Sequence, residues 1–248
     1  MKCVGWVAFI LIVAILSLYY YQFGVGPTML SRGRDVWGQF GDYFGGVLNP
    51  ILSFISILLL IRSVNLQLVA NKSLIDENRR QESLDKRKSF EYRFYNLLEA
   101  QKGGFNDFYV IMPTPNGSVK YDGVSAVNKI ESLVKTTLNR GISGIAITNM
   151  LEKLDDQSDD KMFSFFRRFF LIIKLIEDEV CEENGFLKGD KEKYIEVLIN
   201  LSDFSVVRLF CIGIIYFEWP NVKFIRAVSD IKKVLVSTGL NTYMDELK

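Results

Sequence analysis

Residues 37–67 read WGQFGDYFGGVLNPILSFISILLLIRSVNLQ, and this stretch decides how the chain is organised. It opens with glycines and aromatic residues, runs from Phe44 to Ile61 without a charged residue, and closes on Arg62. About 18 helical residues at roughly 1.5 Å each cover about 27 Å, close to the thickness of the hydrocarbon core of a bilayer. The stretch therefore predicts a membrane-spanning helix over 44–61.

Two features distinguish this stretch from a plain lipid-facing helix. The Asn49-Pro50 pair lies inside the predicted span, where membrane helices tolerate proline because neighbouring groups can satisfy the freed carbonyl. Asp42 lies where the span begins, and an ionisable group is costly there unless it is paired, hydrated or functional. Two interpretations of Asp42 stay open: an N-cap at the membrane interface, or a residue of a water-filled path.

A second apolar segment precedes this one and covers residues 4–23. Gly5 to Leu18 is almost purely apolar, and Tyr19-Tyr20-Tyr21 follows as an interfacial aromatic belt. A cleaved signal peptide would need small residues at its cleavage site, and the three bulky tyrosines occupy that place. We therefore predict a retained anchor. Residues 1–61 are predicted to form a transmembrane hairpin with a loop over 24–39.

Basic residues are more numerous on the outer flanks of the two predicted spans than in the loop between them. The loop holds Arg32 and Arg34. A longer basic series follows the second span: Arg62, Lys72, Arg79, Arg80, Lys86, Arg87 and Lys88. The positive-inside rule then predicts that both termini are cytoplasmic and that the loop is outside.

The rest of the chain is predicted to be helical and cytosolic, which makes the predicted fold class all-α. Residues 62–102 have the composition of a long juxtamembrane helix that ends before Gly103-Gly104. An apolar stripe begins with Leu66, Val69 and Leu74, but it is interrupted too often to predict a coiled coil. Residues 103–248 are predicted to form a helical domain. Its predicted elements are a loop over 112–122 and helices over 124–138, 145–154, 162–182, 191–217 and 222–235.

Several classes of chemistry are disfavoured by composition. The sequence contains no histidine, which removes the commonest general base and most zinc sites. The three cysteines are far apart and lack a C-x-x-C spacing, so neither a metal site nor a disulfide framework is indicated. An acidic run over 155–160 lacks the glycine and distal glutamate of an EF-hand loop, and it is interpreted as a solvated turn with helix N-cap carboxylates.

No phosphate loop or nucleophile–base pair occurs at a convincing spacing. Carboxylates could still converge from distant positions, namely Glu99, Asp107, Asp178 and Glu196. We predict that the protein is not an enzyme, with no catalytic, cofactor or metal residue.

The segment Phe40–Pro50 reads FGDYFGGVLNP. It resembles the signature F-G-D-[YF]-[FI]-G-G-x-L-N-P of the two-transmembrane phage abortive infection proteins of the AbiC type. The residues assigned to this motif, and to a path through the membrane, are Trp37, Phe40, Gly41, Asp42, Gly45, Gly46, Asn49 and Pro50. The match is unbroken over eleven residues, so it is far more specific than a lone glycine pattern.

Three later segments resemble the same family more loosely. They are Phe90–Glu99, Phe165–Lys174, and Lys193–Leu198 followed by Leu209–Phe217. Phe170 stands where the family often has a histidine, so a role of that histidine cannot operate here. The middle, from 103 to 160, shows no match. The candidate residues for contact with a partner are Phe94, Arg167, Arg168 and Lys174.

The resemblance implies a membrane effector of antiphage abortive infection, of a kind also found with retrons, which arrests or kills the infected cell by disrupting the inner membrane. It implies a multi-pass protein of the bacterial inner membrane, a homo-oligomer, and a regulatory partner such as a retron reverse transcriptase with its nucleic acid. No small-molecule substrate is expected. The alternatives are a membrane-anchored sensor or scaffold that tethers a partner protein and a membrane-tethered nuclease or hydrolase.

Overall fold

The computed structural model describes residues 2–23, 34–115 and 117–248, except for some side chains near the N-terminus and at 34, 36 and 37. The protein is mostly helical, with 81% helix and 5% strand. It divides into two compact units, Met1–Asn78 and Arg79–Lys248. The division falls inside the predicted juxtamembrane helix 62–102.

The first unit consists of helix α1 (Lys2–Phe23) and the first part of helix α2 (Arg34–Asn106). Pro50 does not interrupt α2. The predicted loop 24–39 is helical from Arg34 onward, and its residues 24–33 lie outside the described residues. Helix α2 also continues past Gly103-Gly104 instead of ending near 102.

The second unit holds the end of α2, a two-stranded sheet and a set of further helices. These elements are β1 (Tyr109–Thr114), β2 (Gly117–Asp122), α3 (Gly123–Asn139), α4 (Gly144–Asp156), α5 (Lys161–Glu179), a 3₁₀ turn (Glu182–Asn184), α6 (Asp190–Asn200), α7 (Phe204–Tyr216), α8 (Pro220–Ala227), α9 (Ser229–Ser237) and α10 (Leu240–Asp245). Helices at 124–138 and 162–182 are therefore confirmed to within three residues at each end.

The strands β1 and β2 correct two predictions, the loop over 112–122 and the purely helical fold class. They pair antiparallel, with Val110 opposite Tyr121 and Met112 opposite Val119. Strand β1 is rich in β-branched and aromatic residues, and the Asn-Gly sequence at 116–117 is a strong hairpin turn signal. Gly117 has a φ of 123°, which side chains rarely allow. The hairpin was therefore readable from the sequence.

The predicted helix 191–217 is also wrong as a single element. This stretch forms two helices, α6 and α7, and the chain bends by 117° between them. The amide of Ser202 donates to Ile199 O and its hydroxyl donates to Leu198 O, so both groups bond back to the last turn of α6. In the same way the predicted helix 222–235 is divided between α8 and α9 at Val228.

The core of the second unit is built around α5 and α7. The predicted apolar stripe of α5 is fully buried, namely Phe165, Phe166, Phe169, Ile172, Ile173 and Ile176. The ring of Phe169 lies 4.6 Å from that of Phe210 on α7. Gly213 of α7 packs against the ring of Phe166 so closely that a Cβ there would overlap it. The glycine thus permits α5 and α7 to approach.

Candidate functional site

The candidate functional site is the apolar segment of α2. In the described part of the chain, Gly38–Asn106 is one helix that is long and apolar enough to cross a membrane. Its most apolar window of 18 residues has a mean hydropathy of 2.2, and only 6% of that window is buried. Such a surface is unfavourable in water because apolar area remains exposed. The described apolar part of α1, Ile12–Tyr21, is shorter.

Helices α6 and α7 pass the same test of length and composition when they are taken together. Their setting is different, because α7 is largely buried inside the second unit. Leu209, Phe210 and Ile212 have almost no exposed surface. This pair is therefore the interior of a folded unit, whereas the segment of α2 has no comparable cover.

The polar residues of the α2 segment fall on one face. Asp42, Asn49, Ser53 and Ser56 follow one another at separations of seven, four and three residues, which places them in one line along a helix. All four are exposed. The hydroxyl of Ser56 donates to Leu52 O at 2.8 Å, which satisfies it within its own helix. The face can therefore meet either water or polar groups of another chain.

The glycines of the motif leave this surface open. A Cβ at Gly41 or Gly46 would meet no atom within 4 Å, and one at Gly45 would lie 3.7 Å from Asn49 Nδ2. Phe40 and Phe44 pack against each other, with ring centroids 5.7 Å apart. The side chain of Trp37 lies outside the described residues. Small residues of this kind let another helix approach closely.

Comparison of the chain with protein-family models, with curated proteins and with solved structures finds no match. The resemblance to abortive infection proteins therefore depends only on the Phe40–Pro50 motif and on the three looser later segments.

The four candidate partner contacts divide into two groups. Arg167 and Lys174 are exposed on α5 and stay available for a partner. Phe94 is fully buried between Phe90 and Tyr194, so its assignment to a partner surface is wrong. Its apolar ring belongs to the core that the end of α2 shares with α6.

Arg168 is committed to a contact inside the second unit. Its Nε donates to Gln101 Oε1 at 3.1 Å and its Nη2 donates to Gly104 O at 3.2 Å. A Cβ at Gly104 would overlap this guanidinium. Burial lowers the pKa of Arg168, and the charge of Asp107 opposes that change. Arg168 thus attaches α5 to the end of α2 and is largely removed from partner binding.

A polar cluster that sequence analysis did not assign joins α3 to α7. Arg208 Nη1 lies 2.5 Å from Glu131 Oε2, and Nη2 donates to Asn128 Oδ1 at 2.8 Å. Burial alone would raise the pKa of Glu131, but the hydrogen bond from Lys135 and the charge of Arg208 lower it. The signal in the sequence was the single arginine within an apolar helix, whose charge needs a partner once it is buried.

The acidic run contributes a helix cap. Asp155 is buried and accepts hydrogen bonds from the amides of Met162 at 2.6 Å and Phe163 at 2.9 Å. These amides belong to the first turn of α5, which lacks partners within its own helix. The capping part of the interpretation is confirmed for Asp155. The predicted solvated turn is wrong at this residue, because Asp155 is buried and lies in the last turn of α4. Its burial raises the pKa to about 6 despite these two bonds.

The dispersed carboxylates do not form a metal site in the described residues. Glu99, Asp107, Asp178 and Glu196 are all exposed. Over residues 2–23, 34–115 and 117–248, no group of three or more Cys, Asp or Glu side chains is placed to hold a metal ion.

The second unit also has a groove of about 450 Å³ beside α7, α9 and α10. It is lined by Ile214, Ile215, Arg226, Ile231, Lys232, Leu235, Met244 and Lys248. Arg226 is held in place because its Nε donates to Ile214 O and its Nη1 donates to Glu218. These residues converge from four helices, α7 to α10, and from the C-terminal Lys248, so no local pattern in the sequence could have identified them.

Proposed function

We propose that the protein is a membrane-anchored effector that acts on the bilayer and serves antiphage abortive infection. The observation that carries the membrane part is the exposed, uncharged segment of α2 over 44–61. Lipid covers such a segment favourably, by about 0.3 to 0.6 kcal/mol for each central Leu, Ile, Phe or Val. The defence role comes from the resemblance of Phe40–Pro50 to the abortive infection motif.

In this proposal α1 is the first span of a hairpin and the apolar segment of α2 is the second. Two ring contacts support the pairing: Tyr19 of α1 lies 4.4 Å from Phe40 and 6.3 Å from Tyr43 of α2, measured between ring centroids. Aromatic pairs at such distances add to the energy of packing. The distribution of basic residues then orients both termini toward the cytoplasm of a bacterial inner-membrane protein.

The action follows from the polar face of α2. Asp42, Asn49 and Ser53 are too polar to face lipid favourably, so several copies would turn them toward one another and line a water-filled path. The folded unit 79–248 holds this assembly closed until an infection changes its regulatory partner. The partner implied by the resemblance is a retron reverse transcriptase with its nucleic acid.

The membrane potential tests the proposal directly. We would follow a voltage-sensitive dye in cells that express the protein with its genomic neighbours, before and after phage challenge. The variants are Asp42→Asn, which removes the charge at constant size, and a replacement of both spans by an unrelated hairpin. Asp35→Asn is the matched control, because this exposed carboxylate precedes the span.

Depolarisation on infection that is lost in Asp42→Asn and in the replacement, but kept in Asp35→Asn, is the expected result. Loss in the replacement alone would remove Asp42 from the path. It would not restore the predicted N-cap role, which is wrong because Asp42 lies inside α2, eight residues after its start at Arg34. Growth arrest with an intact potential in every case would contradict action on the bilayer and move the activity to the folded unit.

A further inference from the structure

From the end of the predicted span onward, α2 carries an apolar line that the rest of the first unit leaves open. Counting from Ile61, the separations alternate between three and four residues, the spacing of a heptad seam. We call this line the seam, and its members are Ile61, Val64, Leu68, Asn71, Ile75 and Asn78. It differs from the broken stripe, whose Leu66 and Val69 lie on the far side of the helix, whereas Leu74 of that stripe flanks the seam.

The seam is exposed within the first unit. Val64 is 44% exposed, Leu68 61% and Ile75 53%, and Asn71 and Asn78 are also exposed. About 18 residues already fill the hydrocarbon core, so 62–78 extends beyond it by roughly 25 Å. Lipid tails can cover Ile61, the last residue of the predicted span, but not the seam beyond it. Val64, Leu68 and Ile75 would therefore face water in an isolated chain.

The two asparagines indicate what covers it. A purely apolar partner would bury their amides without hydrogen-bond partners, which is unfavourable. If a second copy lies parallel and in register, Asn71 faces Asn71 and each amide can donate to the other. A polar residue at a core position of a coiled coil selects register in this way. Helices anchored in one membrane in the same orientation are already parallel, and in this step the inference rests on the proposed function.

The positions beside the seam do not oppose such pairing. The flanking residues that would face each other across two helices are Gln67 with Lys72 and Leu74 with Arg79. Neither pair brings together like charges, which would destabilise the association. The seam ends where the second unit begins, because the next core position is Glu82, which pairs with Lys86 at 3.2 Å in its own helix.

We propose that α2 carries, over 61–78, a seam that binds the same seam of a second copy of this chain in parallel and in register. The pairing holds the copies together outside the hydrocarbon core, next to the membrane face at which the path opens. It is a contact between two identical surfaces, and it requires neither the regulatory partner nor the groove of the second unit.

Cysteine crosslinking in membranes tests the seam with a closely matched pair of positions. Leu68 on the seam is 61% exposed and Leu66 on the opposite side is 64% exposed, and both are leucines of the same helix. In full-length protein whose three native cysteines are replaced by serine, we would compare Leu68→Cys with Leu66→Cys. Membranes would be treated with a thiol oxidant, and the disulfide-linked dimer would be quantified on a non-reducing gel.

We expect a dominant dimer for Leu68→Cys and little for Leu66→Cys. Equal crosslinking at both positions, or none at either, overturns the proposal, and so does a dimer only at position 66. A second variant, Leu68→Asp, should abolish the dimer seen by crosslinking through Asn71→Cys, whereas Leu66→Asp should leave it. A preserved dimer in Leu68→Asp would also overturn the seam.

This readout is separate from the membrane potential. Crosslinking at position 68 with no depolarisation during infection would contradict the proposed function and keep the seam. Depolarisation in infected cells without crosslinking at position 68 would support the proposed function and contradict the seam.

Discussion

Asp155 shows how a single buried carboxylate couples the second unit to pH. Its side chain caps α5 from a site with almost no exposed surface, and burial raises the pKa from the ordinary 3.8 to about 6. Between these two values the folded protein binds more protons than the unfolded chain. The contribution of Asp155 to stability is therefore largest below pH 4 and is lost as the pH rises through about 6.

We expect that the unfolding free energy contributed by Asp155 falls by on the order of 3 kcal/mol between pH 4 and pH 7. Asp155→Asn should remove this part of the pH dependence, because the amide keeps an acceptor oxygen but does not titrate. Asp156→Asn is the control, since Asp156 is adjacent and exposed. Urea unfolding of each variant at several pH values measures the effect, and identical pH profiles for both variants would contradict it.

At the scale of elements, the end of α2 is shaped by its contact with α5. Two consecutive glycines, which sequence analysis interpreted as a helix end, lie inside the helix. Gly103 faces open space, whereas Gly104 lies against the guanidinium of Arg168. One glycine is therefore dispensable and the other allows a close approach.

We expect opposite effects of alanine at these two positions. Gly103→Ala should stabilise the protein by up to about 1 kcal/mol, because alanine is the better helix former. Gly104→Ala should destabilise it by about 1 to 3 kcal/mol, because the new Cβ displaces Arg168 from Gln101 and leaves buried polar groups without partners. Thermal unfolding of the two variants provides the comparison. Stabilisation by both substitutions would show that the Arg168 contact contributes little.

At the scale of the whole molecule, the boundary between the two units determines which fragment folds. Sequence analysis predicted a domain that begins at residue 103, whereas the structure divides the chain at Arg79. The segment between these positions contributes Phe90, Phe94 and Leu98 to the core. Phe90 packs against Phe186, and Phe94 packs against Tyr194.

We expect that residues 79–248 unfold in one cooperative transition when they are expressed alone. Residues 103–248 should not fold, because removing a buried Phe costs about 3 to 5 kcal/mol and a whole domain is stable by only about 5 to 15 kcal/mol. Circular dichroism during heating distinguishes these outcomes. A cooperative transition in the shorter fragment would return the boundary to residue 103.

The sequence by itself determined the features that depend on local composition and period. The apolar length of 44–61 predicts a helix fit for a membrane, and the spacing of the phenylalanines in α5 predicts its buried face, because burial follows the helical repeat. The Asn-Gly sequence at 116–117 is a hairpin signal, but the prediction there was a loop over 112–122, so β1 and β2 were not predicted.

The tertiary structure alone decided which polar groups meet. Arg168 and Gly104, Arg208 and Glu131, and Asp155 and the amides of α5 are each brought together by the packing of separate elements. An arginine reads as a surface cation in a sequence because its charge is best solvated by water. It becomes a structural residue only when a carbonyl or a carboxylate from a distant segment replaces that water, and no periodicity within one helix records such a partner.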